Sequence, residues 1–201
     1  MKRWSSILAL SLCLLTIVPS DHAIESPSYT VVLLATDFEI RLYRNSTWLS
    51  APLQGTSFEE STKEGFHRVY QYIHGANLDS AKIDMTAPIV TSIEQSSQGS
   101  FKSYRVNFYL PAEFQGAPPQ PNPELNLELD ERKAQCVAVR KFSGFARDDN
   151  IDEEREALMA SLDNHTCSGI IKDDKNAFAV AQYNASYHLS GRLNEIWLKV
   201  G

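Results

Sequence analysis

The feature that most constrains this fold is an order of elements written twice. From Tyr29, "YTVVLLATDFEIRLY" holds two apolar strand segments around the turn-like Ala35-Thr36-Asp37, and "TWLSAPL" adds another. Thr56 and Ser57 precede Glu59 and Glu60 at capping-box spacing, which predicts a helix start. In "SFEESTKEGFHRVYQYIHG", Phe66, Val69, Tyr70 and Ile73 fall at i, i+3, i+4 and i+7 and predict one apolar face, with Gly75 as the stop. Two strands, "KIDMTAPIVTSI" and "SYRVNFYLP", follow. The second half repeats the sequence of events. "QCVAVRKFSGFA" reads as a strand, and Asn150 before Glu153 opens a helix with Ile151, Leu158, Met159 and Leu162 on its apolar face. "NAFAVAQY" and "NEIWLKV" then close the chain. Five prolines between Pro111 and Pro123 mark the loop between halves. Each half alone would leave open sheet edges. The expected fold is therefore a single α+β domain, a distorted antiparallel β-barrel with two helices outside, built by pseudo-twofold duplication of a strand-helix-strand-strand unit.

Within this pattern "KIDMTAPIV" (82–90) alternates Ile83, Met85 and Ala87 with polar neighbours, and predicts a strand interrupted at Pro88. Met85 on this reading faces inward as core filler.

The N-terminus is a separate matter. Lys2 and Arg3 precede an apolar run from Ile7 to Val18, and Ser20 and Ala23 offer cleavage points. This predicts a signal peptide over 1–23, a domain over 24–201, and a secreted or endomembrane-lumen location. No later run is long enough to insert stably in a membrane. Cleavage would remove Lys2, Arg3 and Asp21, leaving 17 basic and 24 acidic residues. A chain that acidic, without a basic stripe, argues against nucleic acid as partner. Cys136 and Cys167 form an even pair in an oxidising route, so a disulfide between them is expected. Sequons at Asn45, Asn164 and Asn184 agree with that route.

The sequence carries no G-x-S-x-G, H-E-x-x-H, Walker A or dinucleotide-binding fingerprint, and no catalytic residue is assigned. Lys63, His67, Tyr70 and His74 share a stripe of the first helix beside its apolar face, a border suited to a flat acidic amphiphile. His67 and His74 are two turns apart, too far for one metal ion. Glu195 and Trp197 point to one face of the last strand, a pairing that could line a pocket or simply belong to the core.

Together "DFEIRLY" (37–43), "KIDMTAPIV" (82–90), "FYLP" (108–111), "VAVRKFSGFA" (137–146) and "NEIWL" (194–198) resemble the SOUL haem-binding family, from about Ile24 to the C-terminus. The resemblance implies a distorted barrel with two helices. It also implies non-covalent binding of haem or a related tetrapyrrole in a shallow cleft between the first helix and the loop joining the last two strands. The matching helix positions are Lys63, Phe66, Val69 and Tyr70, and the loop positions are Tyr187 and His188. Lys63, His188 and Arg192 would supply cations for the propionates. Leu42 stands where some members carry a proposed axial histidine, which leaves His67 or His188 as substitutes. The expected role is a carrier or buffer with a small-molecule tetrapyrrole as partner. The alternatives are an interaction module with protein partners yet to be named, or an enzyme using Glu195 on a small amphiphile.

Overall fold

The computed structural model describes residues 24–55, 57–95, 102–164, 177–184 and 191–201. The strands are β1 (Tyr29–Leu34), β2 (Glu39–Tyr43), β3 (Ser46–Gly55), β4 (Ile89–Gln95), β5 (Lys102–Tyr109), β6 (Glu128–Arg132), β7 (Gln135–Ser143), β8 (Ala177–Gln182) and β9 (Leu193–Val200), with helices α1 (Phe58–Ile73) and α2 (Ile151–Asn164). All pair antiparallel in one sheet of order β1-β2-β7-β9-β8-β4-β5-β3-β6.

Apart from β1 at one edge, that order is palindromic about the β8–β4 pair. β3, β4 and β5 on one side match β7, β8 and β9 on the other, and each helix follows the first strand of its trio. The strands preceding the trios are exchanged: β2 pairs with β7, and β6 pairs with β3. Each half thus covers an edge of the other, which is why neither would be stable alone.

The period-two alternation divides the side chains between a helix-bearing face and a lumen. Phe178, Val180, Ile196 and Leu198 join Phe58 of α1 and Ile151, Leu158 and Leu162 of α2 in the main core. The opposite faces place Tyr43, Trp48, Tyr109 and Trp197 in the lumen. Pro52 lies inside β3, yet β6 pairs only with Ser46 to Ser50, so Pro52 sits beyond it where no ladder donor is needed on that side.

The stretch 82–90 departs from expectation. Only from Ile89 does the chain enter β4; before it lie an isolated bridge at Lys82 and a cis Ala87–Pro88 peptide. Ile83 and Thr86 are buried, three residues apart, whereas Met85 is 38% exposed and fills no core. The segment is tied down piecewise: Ile83 N–H donates to the Ile73 carbonyl, and Thr86 Oγ1 donates to the Tyr109 carbonyl at 2.5 Å. Apparent alternation here is a linker anchored at two points, with the proline just ahead of the strand.

Residues 1–23, the expected signal peptide, fall outside the described residues, as do Cys167, Tyr187 and His188. Cys136 is half-buried in β7 against the helix-side core. Asn45 and Asn164 are exposed and Asn184 is half-buried; the Asn45 and Asn184 Oδ1 atoms accept from Ala134 N–H and Leu193 N–H, each at 2.7 Å. No helix among the described residues is long and apolar enough to cross a membrane.

Candidate functional site

Helix α1 begins as its sequence predicts. Ser57 is the N-cap, and its side chain accepts from Glu60 N–H at 3.2 Å. Asp148, from the other half, takes two more orphan donors: Phe58 N–H at 2.6 Å and Glu59 N–H at 3.2 Å. The helix ends at His74, and Gly75 follows at φ +105°, a conformation suited to glycine.

Its faces are divided differently from the predicted single apolar face. The side pressed to the sheet carries Phe58, Ser61, Gly65, Val69, Tyr72 and Ile73. Val69 is fully buried and packs with Leu49, Ile83 and Phe108, so it is core and offers a ligand no surface. Tyr72 is buried with its hydroxyl donating to the Pro119 carbonyl at 2.7 Å; burial, then Asp79, pushes it up to about 12. Phe66 and Tyr70 lie on the flank. Phe66 is half-buried and Tyr70 is 46% exposed.

On that flank the rings form a file. Phe66 and Tyr70 have centroids 6.3 Å apart, and the His74 imidazole stacks on Tyr70 at 3.9 Å and 27°. His74 Nδ1 is held at 2.8 Å from the Tyr70 carbonyl, and His67 Nε2 at 2.8 Å from Gln71 Nε2. Lys63 is exposed one turn before Phe66. Thr62 bonds Thr91 of β4 at 2.9 Å, so this flank faces β4 and, beyond it, β8. The sequence stripe already contained His74; its ring stacking is what enrols it in the aromatic surface.

Arg192 does not extend this rim. It is buried, its guanidinium lies 4.4 Å over the Phe145 ring, and it donates to the Asn184 carbonyl at 3.3 Å. It braces the base of the β8–β9 turn against the loop ahead of α2.

Glu195 and Trp197 share the lumen face as expected, but the carboxylate is fully engaged. Arg41 donates to both oxygens, at 2.8 and 3.0 Å, and Tyr183 Oη and Trp197 Nε1 donate at 2.9 and 2.8 Å. Arg41 also reaches Glu39 at 2.6 Å and the Tyr43 hydroxyl at 3.0 Å. Burial opposes the charge on Arg41, yet Glu195 and Glu39 raise its pKa overall. Burial and then the Glu195 charge push Tyr183 up. Glu195 is 1% exposed and is the buried counter-ion of Arg41, with three of its four donors on one oxygen. Sequence reading gave no hint of Arg41 as its partner, because the two lie 154 residues apart.

Comparison with known proteins agrees with this architecture. Mouse "Heme-binding protein 2" is 30% identical over 183 residues, covering 89% of this chain and 87% of the relative. The human protein of the same name is 32% identical over 168 residues, covering 80% and 77% respectively. The crystal structure of the EcmrR C-terminal domain superposes with a TM-score of 0.59 at 12% identity, over 86% of this chain and 98% of that one, a likeness of fold. Residues 24–199 match the family described as "SOUL heme-binding protein", and the chain belongs to that family.

Proposed function

We propose that the chain binds haem or a related tetrapyrrole non-covalently along the outer flank of α1, as a carrier or buffer that performs no catalysis. One observation carries the reading: Phe66, Tyr70 and His74 form an aromatic file that the core does not use, open on a helix whose other face is fully packed. An exposed apolar surface of this kind is what needs explaining in a folded chain. A macrocycle offers a wide apolar face to such rings, and Lys63 stands within a turn to meet a propionate. The residues present therefore fit the group. When bound, it brings an iron centre and a visible absorption band. The chain's own contribution is to cover one face and pair an acid. His67 would have to surrender its Gln71 contact to offer Nε2, so ring contact carries the affinity. Tyr187 and His188 enter as further contacts on the family resemblance alone. The signal peptide expected over residues 1–23 would lead to a secreted or luminal site of action, where Cys136–Cys167 would form.

The test is a haem titration followed at the Soret band. Phe66→Asp removes one ring of the file and sets a carboxylate in its place, and should weaken binding about ten- to hundredfold. Lys63→Glu, at an exposed pair, should cost about three- to fivefold and lose its effect at high salt. Wild-type affinity in both variants would overturn the assignment to α1.

A further inference from the structure

The lumen is not filled to both ends. A cavity of about 650 Å³ opens at the mouth bounded by the β6–β7 turn and the ends of β4, β8 and β9. Its walls include Val90, Val137, Ala179 and Trp197; Val90 and Val137 form the floor, and Ala179 is half-buried beside the 7% exposed Trp197. Its origin lies in β8. Phe178 and Val180 are spent on the helix-side core, while the lumen face carries only Ala177, Ala179 and Ala181, with Ala179 directly opposite Trp197. A methyl group faces an indole where two large side chains would have filled the space. The bond from Trp197 Nε1 to Glu195 holds that indole in place.

Three basic side chains gather at this mouth on an otherwise acidic chain. Arg132 is satisfied by Asp130 at 2.9 Å and lies 4.5 Å over the Trp48 ring. Lys133 and Lys199 are exposed, line the cavity, and have no ion-pair partner among the described residues. Glu94 is the remaining lining acidic side chain among the described residues. Asp130, Glu94 and the terminal carboxylate of Gly201 also line the cavity, so the rim is balanced overall and its local positive charge is that of Lys133 and Lys199. Lys199 follows Trp197 by two residues on the same face, about 7 Å along the strand. That is the span from a bicyclic ring to an acidic group attached to it.

We propose that this recess is a second binding site, for a small planar aromatic anion whose rings lie over Trp197 and Ala179 and whose acidic group meets Lys199 and Lys133. Its volume lies within the roughly 300–1,000 Å³ of small-molecule sites. None of Lys63, Phe66, Tyr70 and His74 lines this cavity, so the two sites share no residue.

The test uses the full chain, with naphthalene-2-sulfonate as probe and 2-naphthylmethylammonium as its cationic counterpart, each followed by quenching of tryptophan fluorescence. The sulfonate should saturate and bind at least tenfold more tightly than the ammonium. Lys199→Glu, an exposed change that leaves the core intact, should abolish that preference. Ala179→Leu should fill the recess and weaken the sulfonate at least tenfold, whereas Phe66→Asp should leave it unchanged. Equal affinity for the two probes, no saturable sulfonate binding, or wild-type sulfonate affinity in Lys199→Glu would overturn the proposal.

Discussion

Arg41→Met should lower the stability of this protein by about 3–5 kcal/mol, a fall of about 10–15 °C in Tm for a domain of this size. Arg41 is 1% exposed and is the cation shared by Glu195, also 1% exposed, and by Glu39. Methionine keeps the volume and removes the charge. Glu39 still has Lys141 at 2.7 Å, but the buried Glu195 is left with only neutral donors. Most of the loss is the penalty of that stranded carboxylate, and not the net worth of the ion pair. Arg41→Met combined with Glu195→Leu should therefore recover much of it. The pH response gives an independent signature. For Glu39, burial raises the pKa, but the hydrogen bonds from Arg41 and Lys141 outweigh it and leave the pKa lowered. Its contribution is fully present above the ordinary glutamate range and is lost only as pH falls through the lowered folded value. Wild-type stability should thus be flat between about pH 7 and 5 in this respect. In Arg41→Met a buried acid without a counter-charge gains by taking up a proton, so stability should rise over the same interval. Thermal melts across that range decide it; equal slopes for the two proteins would show that the hub is not electrostatic in origin.

How much of this was legible in the sequence follows from where the signals are local. The capping residues, Gly75 and the apolar spacing on both helices act within a few residues, and they located α1 and α2. Alternation located β7, β8 and β9, whose two faces are both buried yet differ in chemistry. By contrast β6, "ELDER", offers only Leu129 to the core; it is an edge strand joined on one side, and its charges protect that edge. Periodicity is silent about such strands. The exchange of β2 and β6 between halves was also invisible, because pairing partners are set by packing across the domain. The site shows the same division. Spacing put Lys63, Phe66 and Tyr70 near one stripe, but could not tell which neighbour the sheet would claim. Val69 and Tyr72 went inward because Gly65 lets the helix lie close; Phe66 stayed on the flank.

That closeness makes Gly65→Ala the sharpest test of how the fold presents its ligand surface. Considered as a helix substitution alone, it should stabilise by about 1 kcal/mol. Here a β-carbon on Gly65 would sit 2.6 Å from Val106 Cβ and 3.0 Å from Leu53 Cδ1. Val106 is fully buried in β5, which is paired on both sides by β4 and β3 and cannot retreat. The helix must lift instead, and the expected result is a net destabilisation of about 1–3 kcal/mol, the opposite sign to propensity. Lifting also strains the Thr62–Thr91 bond that sets the α1 flank over β4, so haem affinity should weaken although Gly65 touches no ligand. Adding Val106→Ala makes room for the new methyl group, and should restore helix position and haem titration together, even if the core remains somewhat less stable. A Gly65→Ala protein that melts higher than wild type and titrates unchanged would mean that α1 is free to shift, and that the aromatic file is not positioned by the sheet beneath it.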